Sequence, residues 1–435
     1  MEPRILIVSE YFRAGDAITT LNLFSKFDKD NLYCISNVDD FFDKNFKEAY
    51  LIGNKEIKYF FPFNIFKRTA SGGIWSSSTH KSEKVIGYRK SDTLCAKIAC
   101  FLLSFFKRII SFLGVNKSKY HYILSPELKM WIDSIEPHFI YSAVGSLGFA
   151  HFINRLMKQY PNVKFLIHGY DDWIDSPFNN QYKSLNNESQ IIMREIFSRA
   201  TLAYTISDKM SSVYEDRFSR SFYTFCNPVK SLKIERTNDN RDLVITYIGK
   251  IWVHNKDAIL DIARYLNDYN ITLTSKIIFN IYSDINDWQY VEQLKHVNAN
   301  VFVHKWITQA ELPLVLSNSI LLLLPISFDE KVIKYTRYSI STKLSEYLSS
   351  GVPVLYYGPK EIAMSDFLIE HNCAFVVNNQ DSKQVFDAID RVIGMSDDCM
   401  RIINNALYVY QNYFDLEVVA KRFRNLILDS CSNNE

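Results

Sequence analysis

The chain has no apolar run long enough to cross a bilayer, which takes about 20 residues. Its best candidate, IACFLLSFF, is nine residues long and is closed off by Lys107 and Arg108. There is no Cys-x-x-Cys pair and no His/Cys set at zinc spacing, and the seven cysteines are an odd number. Neither a disulfide framework nor a structural zinc is therefore expected, and the thiols read as small hydrophobes in a reducing compartment. The first residues, MEPRILIVSEYF, lack signal-peptide zones and go straight into a strand, so no export signal is expected. Repeats at solenoid periods and low-complexity tracts are missing. So is the GxGxxG fingerprint: the loop after the first apolar run, SEYFRAGDAITT, holds one glycine, and SGGIWSSS follows no strand. That argues against a nicotinamide-dependent oxidoreductase.

What is present is apolar surface in quantity. With 435 residues, 47% hydrophobic and 15% aromatic, two cores are expected rather than one. The net charge is +2, yet nine basic residues stand against Glu83 and Asp92 between Lys81 and Lys119. Within that stretch KIACFLLSFFKRIISFLG is apolar on almost all faces. It suits an anionic membrane surface, or a helix packed under its neighbours. No nucleic-acid partner is expected.

Short β-branched and aromatic runs alternate with helical stretches: RILIV, LYCIS, AYLIG, HFIYSAV, KFLIHG, LAYTIS and FYTFCN, then LVITYIG, KIIFNIYS, VFVHKW, ILLLLPI, PVLYYG and AFVV. Most are solidly apolar, as strands buried on both faces of a parallel sheet are. The pattern predicts an α/β protein of two Rossmann-like, doubly wound domains facing across a cleft. The polar stretch at 227–242 marks the break. The expected division is 1–228 for a first domain, 229–412 for a second, and 413–435 for a helix packing back across both. Ligands of such sheets bind beyond the carboxyl ends of the strands.

Two segments there carry chemistry. In STKLSEYLSSGVPVLYYGP, Ser341 is a plausible N-cap, with Thr342, Lys343 and Leu344 in the first turn. Unpaired N–H groups, a hydroxyl and an ammonium suit a phosphate. Glu346 lies about 6 Å further along the same face, placed to accept the two hydroxyls of a ribose. In YIGKIWVHNKDAI a strand ends at Gly249, Lys250 follows, and Lys256 opens a helix. The two cations could neutralise a departing diphosphate. Each residue alone also fits a solvated surface position.

In order and spacing these segments resemble GT-B glycosyltransferases, most of all the retaining enzymes of family 4, also called group 1. The likeness covers the C-terminal half well and the N-terminal half loosely. It implies that Gly249, Lys250, Lys256, Thr342, Lys343 and Leu344 hold the donor diphosphate and Glu346 its ribose. Lys250 stands in for a more usual Arg. Many members carry a donor-sugar Glu eight residues before the ribose Glu, and here that position is Tyr338. The resemblance also places a functional His or Asp after KFLIHGYDDW. His168 and Asp172 both remain candidates for an acceptor-side group, His168 preferred, beside a structural His with capping aspartates. Gly15, where the first loop turns into a helix, is a further backbone contact to ligand. The single Asp-x-Asp, Asp28-Lys29-Asp30, reads as a solvated turn, so a metal-independent enzyme without cofactor is expected.

The reading is a retaining glycosyltransferase that moves a sugar from a nucleotide diphosphate sugar to a glycan or lipid-linked hydroxyl. The setting implied is surface-polysaccharide assembly at the cytoplasmic face of the membrane, with peripheral contact through 81–119. The alternatives are a GT-B-fold epimerase or phosphorylase, and a non-catalytic nucleotide-sugar-binding relative.

Overall fold

Every apolar run read from the sequence forms a strand in the computed structural model, which describes residues 2–12, 14–38, 42–59, 72–75, 120–175, 183–232, 234, 243–284 and 288–432. The basic stretch 81–119, with its expected membrane contact, lies outside the described residues. Among the described residues no helix is long and apolar enough to cross a membrane. The chain divides into two units: Met1–Phe225 with Arg424–Glu435, and Cys226–Phe423.

The first unit holds β1 (Ile5–Ser9), β2 (Leu32–Ser36), β3 (Glu48–Leu51), β4 (Ile57–Tyr59), β5 (Gly73–Trp75), β6 (Tyr120–Tyr122), β7 (Phe139–Ala143), β8 (Lys164–Gly169), β9 (Leu202–Thr205) and β10 (Tyr223–Thr224). Eight of these form one sheet in the order β10-β9-β8-β7-β1-β2-β3-β5. All its pairings are parallel except that of β5 with β3. β4 and β6 pair separately as an antiparallel ribbon. The central strands are buried on both faces, Ile5, Leu6, Val8, Phe139 and Ile140 being wholly enclosed, which is why their sequences do not alternate. The order reverses between β1 and β7: from β1 the chain winds towards β2 and β3, and from β7 towards β8, β9 and β10. Such a reversal opens a crevice between adjacent loops, where ligands of this fold class sit.

The second unit is a six-stranded, wholly parallel sheet of β11 (Leu243–Ile248), β12 (Ile277–Tyr282), β13 (Val301–His304), β14 (Leu321–Pro325), β15 (Val354–Tyr357) and β16 (Phe375–Val377), in the order β13-β12-β11-β14-β15-β16. Its reversal lies between β11 and β14. Apolar side chains fill both faces of this sheet. Ile245, Phe279 and Leu323 pack on one side with the helix Lys256–Thr272, and Leu322, Tyr356 and Leu348 on the other.

The last helix, Leu416–Ser432, buries Val419, Ala420, Phe423 and Ile427, one stripe at helical spacing. Its residues up to Phe423 belong to the second unit and those from Arg424 to the first. Arg424 bonds Glu2 at 3.2 Å and lies over the Phe27 ring, and the Ser430 carbonyl accepts from Lys164.

Candidate functional site

At the reversal of the second unit, the loop after β11 meets the start of the helix Thr342–Ser349. Three bonds lock the loop. Tyr247 donates its hydroxyl to the Lys250 carbonyl at 2.9 Å, and Asn255 donates to both that carbonyl and the Tyr247 oxygen, at 3.1 and 2.7 Å. A fourth bond ties the helix to the strand: the Ile248 N–H donates to the Tyr347 hydroxyl at 2.9 Å. Gly249 sits where these constraints converge, at φ +153°. A Cβ there would overlap the Cε of Lys343 and lie 2.9 Å from the Tyr247 hydroxyl. The backbone angle favours glycine here, and any Cβ would also have to displace the end of the lysine side chain. Gly351, at φ +69°, takes the left-handed position that ends the helix.

Lys343 runs under the loop with its ammonium 5.5 Å from the Tyr247 ring centroid. Burial pulls it below the ordinary lysine value, against the opposing pull of Glu346. Burial likewise pushes the Glu346 carboxyl up, offset by a hydrogen bond from Gln309 and by the Lys343 charge. Both groups are kept in partly dry surroundings and lean on each other. Ser341 has the extended backbone of an N-cap but makes no side-chain cap bond to the first turn. Thr342 is exposed there.

The structure thus brings Gly249, Lys343 and Glu346 together, with Lys250 in the same loop. Lys250 is exposed and places its ammonium 3.8 Å from the Trp252 ring. Lys256 packs over Tyr290 at 4.5 Å. Leu344 requires a correction: its side chain is fully buried in the core and its N–H donates to the Ser341 carbonyl at 3.0 Å, so it supports the helix and offers a ligand nothing. Tyr338 is nearly buried, with the Arg337 guanidinium 4.5 Å from its ring. Gln309 escaped sequence reading, since only the fold carries its loop to Glu346.

In the first unit Gly15 falls in the first turn of the helix Ala14–Leu23. Asp28 caps its own turn by accepting from the Asp30 N–H at 3.0 Å. His168 is wholly buried, its Nδ1 2.9 Å from the Tyr141 hydroxyl and its ring packed by Tyr170 and Tyr204. Asp172 is 1% exposed and accepts from Tyr214 at 3.0 Å and Arg217 at 3.1 Å. The same Arg217 bonds Asp175 at 2.9 Å. Both residues named for the acceptor side are therefore supports beneath the loop, because aromatic and basic side chains from other elements close over them. Burial pushes His168 down to about 3 from 6.5. The folded value lies below the unfolded one, so the stability it confers is complete above 6.5 and is lost as the pH falls from there towards 3. The expected loss is about 1.4 kcal/mol per pH unit. Urea midpoints over this range check it, and His168→Gln should flatten this component.

Comparison with known proteins places the chain in context. Residues 259–397 match the Glucosyltransferase 3-like, C-terminal domain family. No curated protein sequence matches the chain. Among solved structures, HepE of Anabaena in complex with UDP superposes with a TM-score of 0.60 at 11% identity, over 98% of this chain and 100% of that one. Sucrose-phosphate synthase of Thermosynechococcus elongatus does so at 0.61 and 10%, over 99% of each chain. A glycosyltransferase of Rickettsia africae gives 0.62 and 10%, over 100% of each. At such identities the likeness is one of fold, and the fold is GT-B, built from two Rossmann-like domains.

Proposed function

We propose that the protein is a glycosyltransferase that takes a sugar from a nucleotide diphosphate sugar and joins it to a hydroxyl of a glycan or lipid-linked acceptor. The observation that carries this reading is the meeting of Gly249, Lys343 and Glu346 at the reversal of the second sheet. The match to a glucosyltransferase-like C-terminal domain supports it. In this reading the N–H groups of Thr342 and Lys343, the side chains of Thr342 and Lys343, and Lys250 and Lys256 hold the diphosphate, while Glu346 accepts the ribose hydroxyls. The anomeric carbon exchanges its bond to the diphosphate oxygen for one to the acceptor oxygen, the acceptor hydroxyl's proton passes to the released diphosphate, and the ammonium groups take up the remaining charge on it. Retention at the anomeric carbon and a role in surface-polysaccharide synthesis at the cytoplasmic membrane face belong to the same proposal and rest on the family resemblance; metal independence belongs to it as well and rests on the reading of Asp28-Lys29-Asp30 as a turn.

Titration with UDP tests the pocket. An anion beside Lys343 favours its charged form, so the lowered value must rise on binding. UDP binding is then accompanied by proton uptake on the alkaline side, above the carboxylate range and below the ordinary lysine value, and affinity falls as the pH rises through the lowered value. Calorimetry in buffers of different ionisation heat reads this uptake. Absence of binding by UDP and by every other nucleoside diphosphate would overturn the assignment. UDP binding without turnover of any sugar nucleotide would favour the non-catalytic relative.

A further inference from the structure

The three ammonium groups assigned to the diphosphate share one kind of neighbour. Lys343 lies 5.5 Å from the ring centroid of Tyr247, Lys256 4.5 Å from that of Tyr290, and Lys250 3.8 Å from that of Trp252. Lysines elsewhere hold carboxylates, as Lys55 holds Glu127 at 2.8 Å and Lys158 holds Glu195 at 2.9 Å. Lys47 also lies over a ring, 5.8 Å from Tyr33, but bonds the hydroxyl of that ring as well. The Lys250 ammonium has no hydrogen bond and no ion pair among the described residues.

The difference matters to a phosphate. A carboxylate neutralises an ammonium and occupies its N–H donors, and both must be released before a diphosphate can use them. An aromatic ring attracts the cation through its quadrupole and neutralises nothing. It also restrains a side chain with four rotatable bonds before the ligand arrives, so less rotamer freedom remains to be lost on binding.

Trp252 is built for that restraint. Its side chain is 54% exposed, so core packing does not account for it. Its backbone is nonetheless held on both sides. The Trp252 N–H donates to Asn255 Oδ1 at 3.0 Å, and its carbonyl accepts from the N–H groups of Asn255 and Lys256 at 3.0 and 2.9 Å. The Asn255 amide that also donates to the Lys250 carbonyl therefore fixes Lys250 and Trp252 relative to each other.

We propose that Trp252 is a positioning residue for the donor diphosphate, its ring seating the Lys250 ammonium while the N–H groups turned away from the indole are left for phosphate oxygens. This role rests on the reading of the loop as a diphosphate site. The indole acts through Lys250 and does not touch the ligand.

Calorimetry of the full chain with UDP and with pyrophosphate tests it. Trp252→Leu should weaken both ligands alike, by about two- to fivefold, and Trp252→Phe, which keeps a smaller ring, by less. In a Lys250→Ala background Trp252→Leu should cost nothing further, because a residue that acts through Lys250 has then lost its means. Labelling with 5-fluorotryptophan gives a reading free of ligand: the fluorine resonance that vanishes in Trp252→Phe should move in Lys250→Ala. Wild-type affinity in Trp252→Leu, losses that simply add in the double variant, or a resonance that stays in place each overturn the proposal. If pyrophosphate binds with this dependence on Trp252 while no nucleoside diphosphate binds, the lysine seat stands and the transferase reading falls. If UDP binds and Trp252→Leu is silent, the reverse holds. Binding of neither ligand ends both.

Discussion

Replacing Glu346 by Ala should raise the dissociation constant for UDP about 100-fold or more. The carboxylate is assigned two charge-assisted bonds to ribose hydroxyls, each worth roughly 1.5–3 kcal/mol, so their joint loss amounts to about 3 kcal/mol at the least. A second loss adds to it. Glu346 is the group that holds the Lys343 value up against burial. Without it the ammonium gives up its proton more readily, and the diphosphate loses part of its partner at alkaline pH. The apo protein should not suffer in parallel, because burial already disfavours the ionised carboxylate. Removing a strained functional group commonly leaves stability level or improved. A Glu346→Ala protein that melts where the wild type does but no longer binds UDP, measured by thermal shift and calorimetry together, is the expected pairing. Unchanged UDP affinity would remove Glu346 from the pocket.

Arg217→Ala should destabilise the first unit by about 3–5 kcal/mol, the cost of leaving a buried charge without its partner. The Asp172 side chain is fully buried, and Arg217 is its cationic partner at 3.1 Å. The guanidinium also bonds Asp175 and lies over the Tyr214 ring at 5.3 Å. Truncation therefore takes this cation from two carboxylates and uncovers an aromatic face. Asp172→Asn in the Arg217→Ala background removes one stranded charge and should recover a good part of the loss. Urea denaturation followed by fluorescence gives the comparison. A loss below about 1 kcal/mol would mean that the ion pair behaves like an exposed one.

The sheets were legible because their strands are buried on both faces, and a run such as ILLLLPI has few other homes in a protein of this size. β4, β5 and β6 were not, because three residues are too few to show a period, and IKY, GIW and YHY pair with partners distant in the chain. In the second unit the meeting of Gly249, Lys343 and Glu346 followed from local order. Gly249, Lys343 and Glu346 stand at the ends of elements whose types were clear, and the loop-to-helix meeting is a consequence of the parallel topology. In the first unit local order misled. The loop after β8 carries His168 and Asp172 in a run rich in polar groups, yet what decides their exposure is Tyr141, Tyr204, Tyr214 and Arg217, contributed by other elements. Glu10, buried directly after β1, went unremarked for the opposite reason. A lone glutamate after a strand reads as solvated, and its partners Tyr120 and Tyr122 come from a ribbon more than a hundred positions away.

The closing helix has a consequence for biosynthesis. Its final turns complete a unit whose other residues, up to Phe225, are translated well before them: Arg424 reaches Glu2 and Phe27, and Ile427 is sealed from water. That unit consequently waits, with part of its apolar surface uncovered, until this helix has been translated, although domains generally fold in the order in which they emerge.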